Sequence, residues 1–464
     1  MKWSTNIVCA AAFVFLAAIF AVAQARDLIR PPHLDEVQHL HSGMRVARGE
    51  RIYRDFFEHH PPLFAGMLSL LAGDDAVRYV ARARLLAGAA AAIAILSAAL
   101  IVYRASGRLY APLIFIALLL GAGGLWRNGI GDVRAESPAL AFWWGGAALV
   151  VLARNEWLRG IGMGFVFAAA MILPKWPLET LVIAVLFFAR PNVRAIAAAL
   201  LVAAAAIAIT ASLADPGAAW HYVVAFSRAI WRELTPTDVR WTARCPPLLR
   251  PWIVVLACLL VIGRRREKLV VLFAILALAS LAELRLLFYP NTDFRFWVMW
   301  SFSAAALLAL APQAAAALVP GKIRVAIPIV LTALALVLAL DHIPPRRSLR
   351  ESYWRFSQWL QSRLGTDGTL WVKTQWHPIG ARDASYYWFG FDDAMPAAAK
   401  LGELREVDLP PCRLAENVRF LSDPSEHLPI AHACFERLRA SGAIVATAVP
   451  DVWMVSKEEA HATQ

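Results

Sequence analysis

The sequence predicts an all-α polytopic membrane domain of about 11 transmembrane helices over residues 1–340 and a small C-terminal α/β domain over 341–464. Three observations carry this. The chain is 59% hydrophobic and only 17% charged, where a soluble protein of this size carries about a quarter charged residues. Apolar runs rich in Ala, Leu, Val and Ile recur from Trp3 to Leu340, many close to the roughly 20 residues that cross a bilayer as a helix. Beyond Asp341 the runs shorten, and charges, prolines and polar residues return.

The first span runs from about Trp3 to Ala23 and the second from about Val80 to Tyr103. The third is about Leu109–Leu125, the fourth Pro138–Ala153, and the fifth and sixth, Ile161–Pro174 and Leu178–Ala189, form a hairpin. Ala195–Leu213, Leu249–Ile262, Leu269–Leu287, Phe296–Leu318 and Val325–Leu340 complete the series. PPLFAGMLSLLAG, Pro61 to Gly73, is too short to span and reads as a helix at the outer membrane surface.

Every second short loop is basic: Arg104 and Arg108, Arg154 and Arg159, Arg190 and Arg194, RRREK from Arg264, then Lys322 and Arg324. Lys2 falls on the same side. By the positive-inside rule that side is cytoplasmic. The opposite face receives a first outer loop (26–73), a second (215–247) and the C-terminal domain. The net charge of +12 belongs to the membrane part, since 341–464 holds 14 Lys+Arg against 16 Asp+Glu. It speaks to loop orientation and anionic membrane lipids, not to nucleic acid. The N-terminus, with Lys2 and AVAQA, also fits a signal peptide, although its apolar stretch is long enough for a retained anchor. Localisation is therefore a bacterial-type inner membrane, multi-pass, with the C-terminal domain periplasmic or extracellular.

Ionisable chemistry concentrates in HLDEVQHLHSGMRVARGERIYRDFFEHHPPL, His33 to Leu63, which holds five of the 11 histidines. On a helix, Asp35, His39 and Ser42 share a face, with Glu36 beside it. An Asp-Glu pair at a membrane exit can be a solvated interfacial feature, a general base or a divalent-cation site. Arg45, Arg48, Arg51, Arg54, Tyr53, Asp55, Phe56, Phe57, His59 and His60 follow. Carboxylates, imidazoles and guanidiniums beside a membrane suit a charged head group on a lipid tail, whose phosphate arginines hold bidentately.

This arrangement, DE after the first helix, then Gly49, Tyr53, Asp55, Phe56 and HHPPL, resembles the GT-C superfamily of membrane glycosyltransferases. The protein-mannosyltransferase and aminoarabinose-transferase-like enzymes, family 39 and its relatives, are nearest. Three weaker likenesses accompany it. DVRAESPALAFWW, from Asp132, resembles the family's second outer loop. LPKWP, around Lys175, resembles its Lys-x-Pro hairpin turn. YPNTDFRFWVMW, with Arg295, resembles a polar outer loop before a late helix.

The resemblance covers about the first 340 residues. It implies a polyprenyl-phosphate-sugar donor, an active site in the outer loops and Asp35 as the catalytic carboxylate, with Glu36 beside it. Histidines stand at 59 and 60 where many relatives have Lys. Phosphate contacts then fall to Arg45, Arg48 or Lys175, with Tyr53, His59, His60 and Arg295 as further substrate contacts. Asp132, Arg134 and Glu136 are loop-solvating residues or supporting polar groups. A polyprenyl phosphate leaves as a stabilised anion, a phosphomonoester's second pKa being about 6. The greater demand is therefore activation of the acceptor hydroxyl by a carboxylate. One displacement inverts the anomeric carbon. The acceptor would be a lipid, glycan or protein.

A divalent cation, Mg or Mn, would take Asp35, Glu36 or Asp132. No P-loop, metal-spaced Cys cluster or HExxH occurs in the sequence. Two rivals stand beside the transferase: a transporter or flippase of a lipid-linked substrate, and a non-catalytic assembly subunit.

AWHYVVAFSRAIWREL (218–234) is amphipathic and suits interfacial anchoring. In the C-terminal domain TLWVK, NVRFL, AIVAT and DVWMV suggest strands, and HACFERLRASG a helix closed by Gly442. The aromatic run Ser385–Asp393 reads as a packed strand or a sugar-binding patch. Of five cysteines, Cys9 and Cys258 lie in apolar helices, while Cys412 and Cys434 either pair or stay free thiols.

Overall fold

The structure is a computed structural model that describes residues 2–30, 32–122, 132–228, 245, 249–264, 268–286, 297–316, 351–389, 394–405, 408–424 and 428–456. The expected span Val325–Leu340, Arg295, and the second half of the amphipathic stretch lie outside the described residues.

In chain order the helices are α1 (Lys2–Ile29), α2 (Leu34–Ala47), α3 (Pro62–Ser69), α4 (Ala76–Ser106), α5 (Tyr110–Leu120), α6 (Glu136–Leu152), α7 (Glu156–Ile172), α8 (Pro177–Phe188), α9 (Val193–Leu213) and α10 (Pro216–Trp220). A π-helical turn, His221–Phe226, continues α10. Then come α11 (Pro251–Arg264), α12 (Lys268–Leu286), α13 (Val298–Ala316) and α14 (Glu351–Leu364). The remainder alternates: β1 (Thr369–Trp371), α15 (Ala394–Lys400), β2 (Val418–Ser422), α16 (Pro429–Ala440), β3 (Ile444–Ala446) and β4 (Val452–Val455). Four of the described helices are long and apolar enough to cross a membrane, with further apolar helices of 10–17 residues, α5, α6 and α8 among them.

The chain divides into two compact units. The first comprises Met1–Ile29, Arg84–Ala208 and Pro236–Arg346; the second comprises Arg30–Ala83, Ile209–Thr235 and Arg347–Gln464. Within the first unit, small residues let helices touch. A Cβ on Gly162 would lie 2.6 Å from the Gly146 carbonyl oxygen, so α6 and α7 pack backbone to backbone, as membrane helices do through small residues. The α7–α8 turn at Pro174–Pro177 follows because Pro177 can occupy the first helical turn without losing a needed donor.

In the second unit the strands form one sheet in the order β1-β2-β4-β3. β1 and β2 are parallel; β2–β4 and β4–β3 are antiparallel, with Leu421 opposite Trp453. One core packs Leu360 and Leu364 of α14 against Leu370, Val372 and Phe420. The other gathers Ile52, Phe56 and Phe57 with Trp371, Trp388 and Phe435. Cys412 and Cys434 form a disulfide that ties α16 to the preceding loop.

Two expectations are corrected here. Ser385–Phe389 is no strand. Its backbone is irregular, the Tyr386 carbonyl accepts the Phe57 N–H, and Tyr387, Trp388 and Phe389 are buried; 390–393 lie outside the described residues. The 218–234 stretch does not simply present its aromatics to an interface. Trp220 is exposed, but Phe226 is fully buried and Tyr222 stacks on Tyr53 at 5.3 Å between ring centroids.

Candidate functional site

α2 is positioned by its own first turn. The Asp35 N–H donates to His33 Nδ1, and the His33 N–H donates to Glu36 Oε2 at 2.8 Å, closing a capping box. The other Glu36 oxygen takes Arg30 at 3.1 Å. Both Glu36 oxygens are thus engaged in holding the helix start, and the residue is fully buried. Asp35, half-buried, is the other first-turn carboxylate, on the face with His39 and Ser42.

The face meets Glu58, His59 and His60. Glu58 is buried and accepts the Ser42 hydroxyl at 2.6 Å, the Gln38 amide at 3.1 Å, the His59 N–H at 2.9 Å and the His60 Nδ1 at 2.7 Å. Burial alone would raise its carboxyl pKa; the surrounding imidazoles and donors outweigh this and hold it well below the usual carboxylate range. His59 behaves oppositely. Burial, helped by neighbouring His60, pushes its pKa well below the ordinary histidine value despite the charges of Glu58 and Asp35. A neutral His59 can hydrogen-bond a phosphate but brings no positive charge, so it is no electrostatic substitute for lysine. Its ring lies 4.0 Å from that of His60, and the His39 ring meets His60 edge-on at 4.7 Å.

Tyr53, at φ 68°, turns the loop tightly. Its hydroxyl donates to the His60 carbonyl at 2.7 Å, and its own carbonyl accepts the Tyr386 hydroxyl. Tyr53 therefore braces the His59–His60 segment from behind.

Asp383 ties the C-terminal segment to α2. It accepts His41 Nε2 at 3.0 Å, His377 Nε2 at 2.8 Å and the Arg45 guanidinium. Burial would raise this carboxyl; the two imidazoles outweigh it and keep it well below the usual range. Arg45 also donates to Glu50 Oε2 at 2.7 Å and to the Asp55 carbonyl, and lies over the Phe56 ring. Its guanidinium is therefore occupied in bracing the loop. Arg48, by contrast, is exposed, and its side chain makes no hydrogen bond to any described residue. Gly380, at φ +82°, brings the backbone against Met44 and Arg48, where a Cβ would lie 3.0 Å from Met44 Cγ, and lets its N–H donate to His41 Nδ1.

In the first unit, Lys175 Nζ donates to Glu136 Oε1 at 2.7 Å, and Asp132 lies 3.6 Å from Arg134. Asp132, Arg134 and Glu136 are buried. Nearby, Ser280 donates to Glu179, and Glu283 accepts the Leu178 N–H; both carboxyls are buried, and neither was singled out in the sequence.

Among the described residues three groups bring cation-ligand atoms together; the third, Asp423, His432 and Glu436, is only partly buried, and its His432 is already hydrogen-bonded to Asp423. At His41, His377 and Asp383, the Gly380 N–H occupies His41 Nδ1, so Nε2 carries the proton, and Arg45 sits on the same carboxylate. That set does not fit a cation. At Glu58, His59 and His60 the donor atoms lie within 4.8 Å of one another, and buried His59 Nδ1 has no hydrogen-bond partner. The Glu58 oxygens are already filled by Ser42, Gln38 and His60, and imidazole ligands suit zinc or iron sooner than the expected Mg or Mn, so this set does not fit that cation either. The expected Glu36 oxygens are already filled by Arg30 and the His33 N–H.

No protein-family model and no curated protein sequence matches the chain. Solved structures do. The crystal structure of ArnT from Cupriavidus metallidurans bound to undecaprenyl phosphate superposes with a TM-score of 0.64 at 12% identity, covering 96% of this chain and 97% of that one. The chain has the GT-C fold. The Archaeoglobus fulgidus oligosaccharyltransferase tethered to an acceptor peptide containing the NVT sequon matches at TM-score 0.50 and 12% identity, over 95% of this chain and 74% of that one. At such identity the likeness is one of fold alone, and the site rests on this chain's own residues.

Glu58 and Asp383 are the groups that sequence reasoning missed. Glu58 had a local signal, an acid directly before His-His-Pro-Pro. Asp383 had none.

Proposed function

We propose that this GT-C chain is a glycosyltransferase that moves a sugar from a polyprenyl-phosphate donor to a hydroxyl of a lipid, glycan or protein acceptor at the outer face of the inner membrane. The observation that carries the proposal is the match, across nearly the whole of both chains, to a structure solved with undecaprenyl phosphate. The Cys412–Cys434 disulfide supports an oxidising compartment for the C-terminal segment.

In this mechanism Asp35 accepts the acceptor hydroxyl proton as its oxygen attacks the anomeric carbon. The bond from that carbon to the phosphate oxygen breaks, polyprenyl phosphate departs with the electron pair, and the anomeric centre inverts. Glu58, stripped of its proton by its donors, fixes His60 and Ser42 and so the face that carries Asp35. Neutral His59 offers a hydrogen bond to the departing phosphate. No step is routed through a cation.

A transporter reading draws on one observation, the buried carboxyls Glu179 and Glu283 on apolar helices, because intramembrane acids often mark transport pathways. The two readings separate in one assay. The purified chain is reconstituted with a labelled polyprenyl-phosphate sugar and a bacterial envelope-lipid fraction. Label in a new covalent product, with released polyprenyl phosphate, supports transfer. Label that only changes membrane face supports transport and overturns the proposal.

A further inference from the structure

A cavity of about 720 Å³ opens at the C-terminal end of α2. Its wall includes Arg48 from the end of α2, Asp74 from the α3–α4 loop, and Trp354, Gln358 and Gln361 from α14. A second cavity of about 470 Å³ continues from it, sharing Arg48, Gln361 and Gly380. Every one of these residues belongs to the second unit. The larger cavity alone lies in the upper part of the range of ligand sites.

The wall differs from the polar clusters nearby. Glu58 and Asp383 are saturated by protein donors. The side chains of Arg48, Asp74, Gln358 and Gln361 make no hydrogen bond to any described residue. Trp354 is half-buried in the same wall. One cation, one anion, two amides and an indole face are therefore left to a ligand.

That set selects by chemistry. Across both cavities Arg48 and Arg382 are offset by Glu50, Asp74 and Asp75, so the wall has no positive excess to attract a phosphate or an acidic polymer. An acyl chain would bury amides and charges without partners, at a cost of about 1–3 kcal/mol for each unsatisfied group. A polyhydroxylated ring fits. Its hydroxyls both donate and accept, matching Arg48, Asp74 and the two Gln amides. Its apolar C–H face matches the broad surface of Trp354.

We infer that this cleft binds a saccharide chain, as a remote subsite for an extended glycan acceptor. Resting on the glycosyltransferase reading, it narrows the acceptor to a glycan-bearing molecule. Arg48 lies 13 residues beyond Asp35, about 20 Å along the α-helical rise of α2. A glycan bound there is held at one end of the helix that presents Asp35 at the other. Binding energy from this remote part of the acceptor would position its reacting hydroxyl.

The test reads binding without turnover. The full chain in lipid nanodiscs is titrated with maltohexaose, chitohexaose and mannohexaose by saturation-transfer NMR. At least one is expected to bind saturably at millimolar concentration. Trp354→Ala should weaken it about tenfold, equivalent to about 1.4 kcal/mol. Gln358→Ala/Gln361→Ala, which alters only exposed side chains, should do likewise, guarding against a folding defect in the first variant. No saturable binding by any of the three overturns the inference. So does binding unchanged in both cleft variants, or displacement by an unglycosylated Ser/Thr-rich peptide. Binding that persists where glycosyl transfer proves absent would instead count against the glycosyltransferase reading alone.

Discussion

His41 Nε2 donates to Asp383 Oδ2 at 3.0 Å across 342 residues of sequence. The segment around α2 and the C-terminal segment thus belong to one folded body, and α2 is held at its middle by a residue far from it in the chain.

Removing that anchor should be costly. Asp383→Ala leaves the rings of His41 and His377 and the Arg45 guanidinium without their shared acceptor in a buried place. Breaking a buried charge network of this kind costs about 3–5 kcal/mol. Chemical denaturation in detergent should show a loss of this order; a change under 1 kcal/mol (about the worth of a surface pair) would mean that the network does not hold α2.

The same anchor makes stability pH-dependent. Burial lowers the His41 pKa from 6.5 to about 4 in the folded chain. The unfolded chain binds that proton first, so the contribution is complete above pH 6.5 and is lost as pH falls toward 4. Glu58 and Asp383, with depressed values, act in the same direction below the ordinary carboxylate range near about 4. Melting temperature should fall steadily from neutral pH to pH 4, with a shallower fall above pH 5 in His41→Gln. A flat profile would contradict buried neutral His41.

Glu58→Gln replaces an acceptor by an amide among donors. One of its new N–H groups would face the Ser42 hydroxyl or the His60 ring, which Glu58 accepts at 2.6 and 2.7 Å. Each disrupted buried contact costs about 1–3 kcal/mol. Lower stability and slower transfer are expected together. Full activity in this variant would remove Glu58 from the support of Asp35.

The Cys412–Cys434 link closes a loop with a sequence separation of 22. Loop-closure entropy for that length is about 3 kcal/mol. Cys412→Ser should lower denaturation stability by about this amount, and parent protein from membranes should resist thiol labelling at both positions until reduced. Immediate labelling would contradict the disulfide.

Much of this architecture was legible from local pattern. β2 and β4 announce themselves as short β-branched and aromatic runs bounded by turn residues, and α16 ends at Gly442, whose φ is +77°. α2 begins where His33 and Glu36 can cap it. What escaped depends on distant partners. Nothing near Asp383 announces two histidines and an arginine from other segments. The 385–389 run has the composition of a strand, but its backbone and indole groups bond to Phe57 instead of a strand ladder. Arg45 looked like a phosphate ligand because sequence shows its charge and not the three acceptors around it.

The most direct measurement is transfer of labelled sugar from a polyprenyl-phosphate donor by the Asp35→Asn variant, beside its melting temperature. Asn preserves the shape of Asp35 and cannot accept the acceptor proton. The account predicts transfer reduced by 10²-fold or more, the lower end of what a general base contributes, with an unchanged melting temperature. Parent-like transfer in the folded variant would contradict Asp35 as the base.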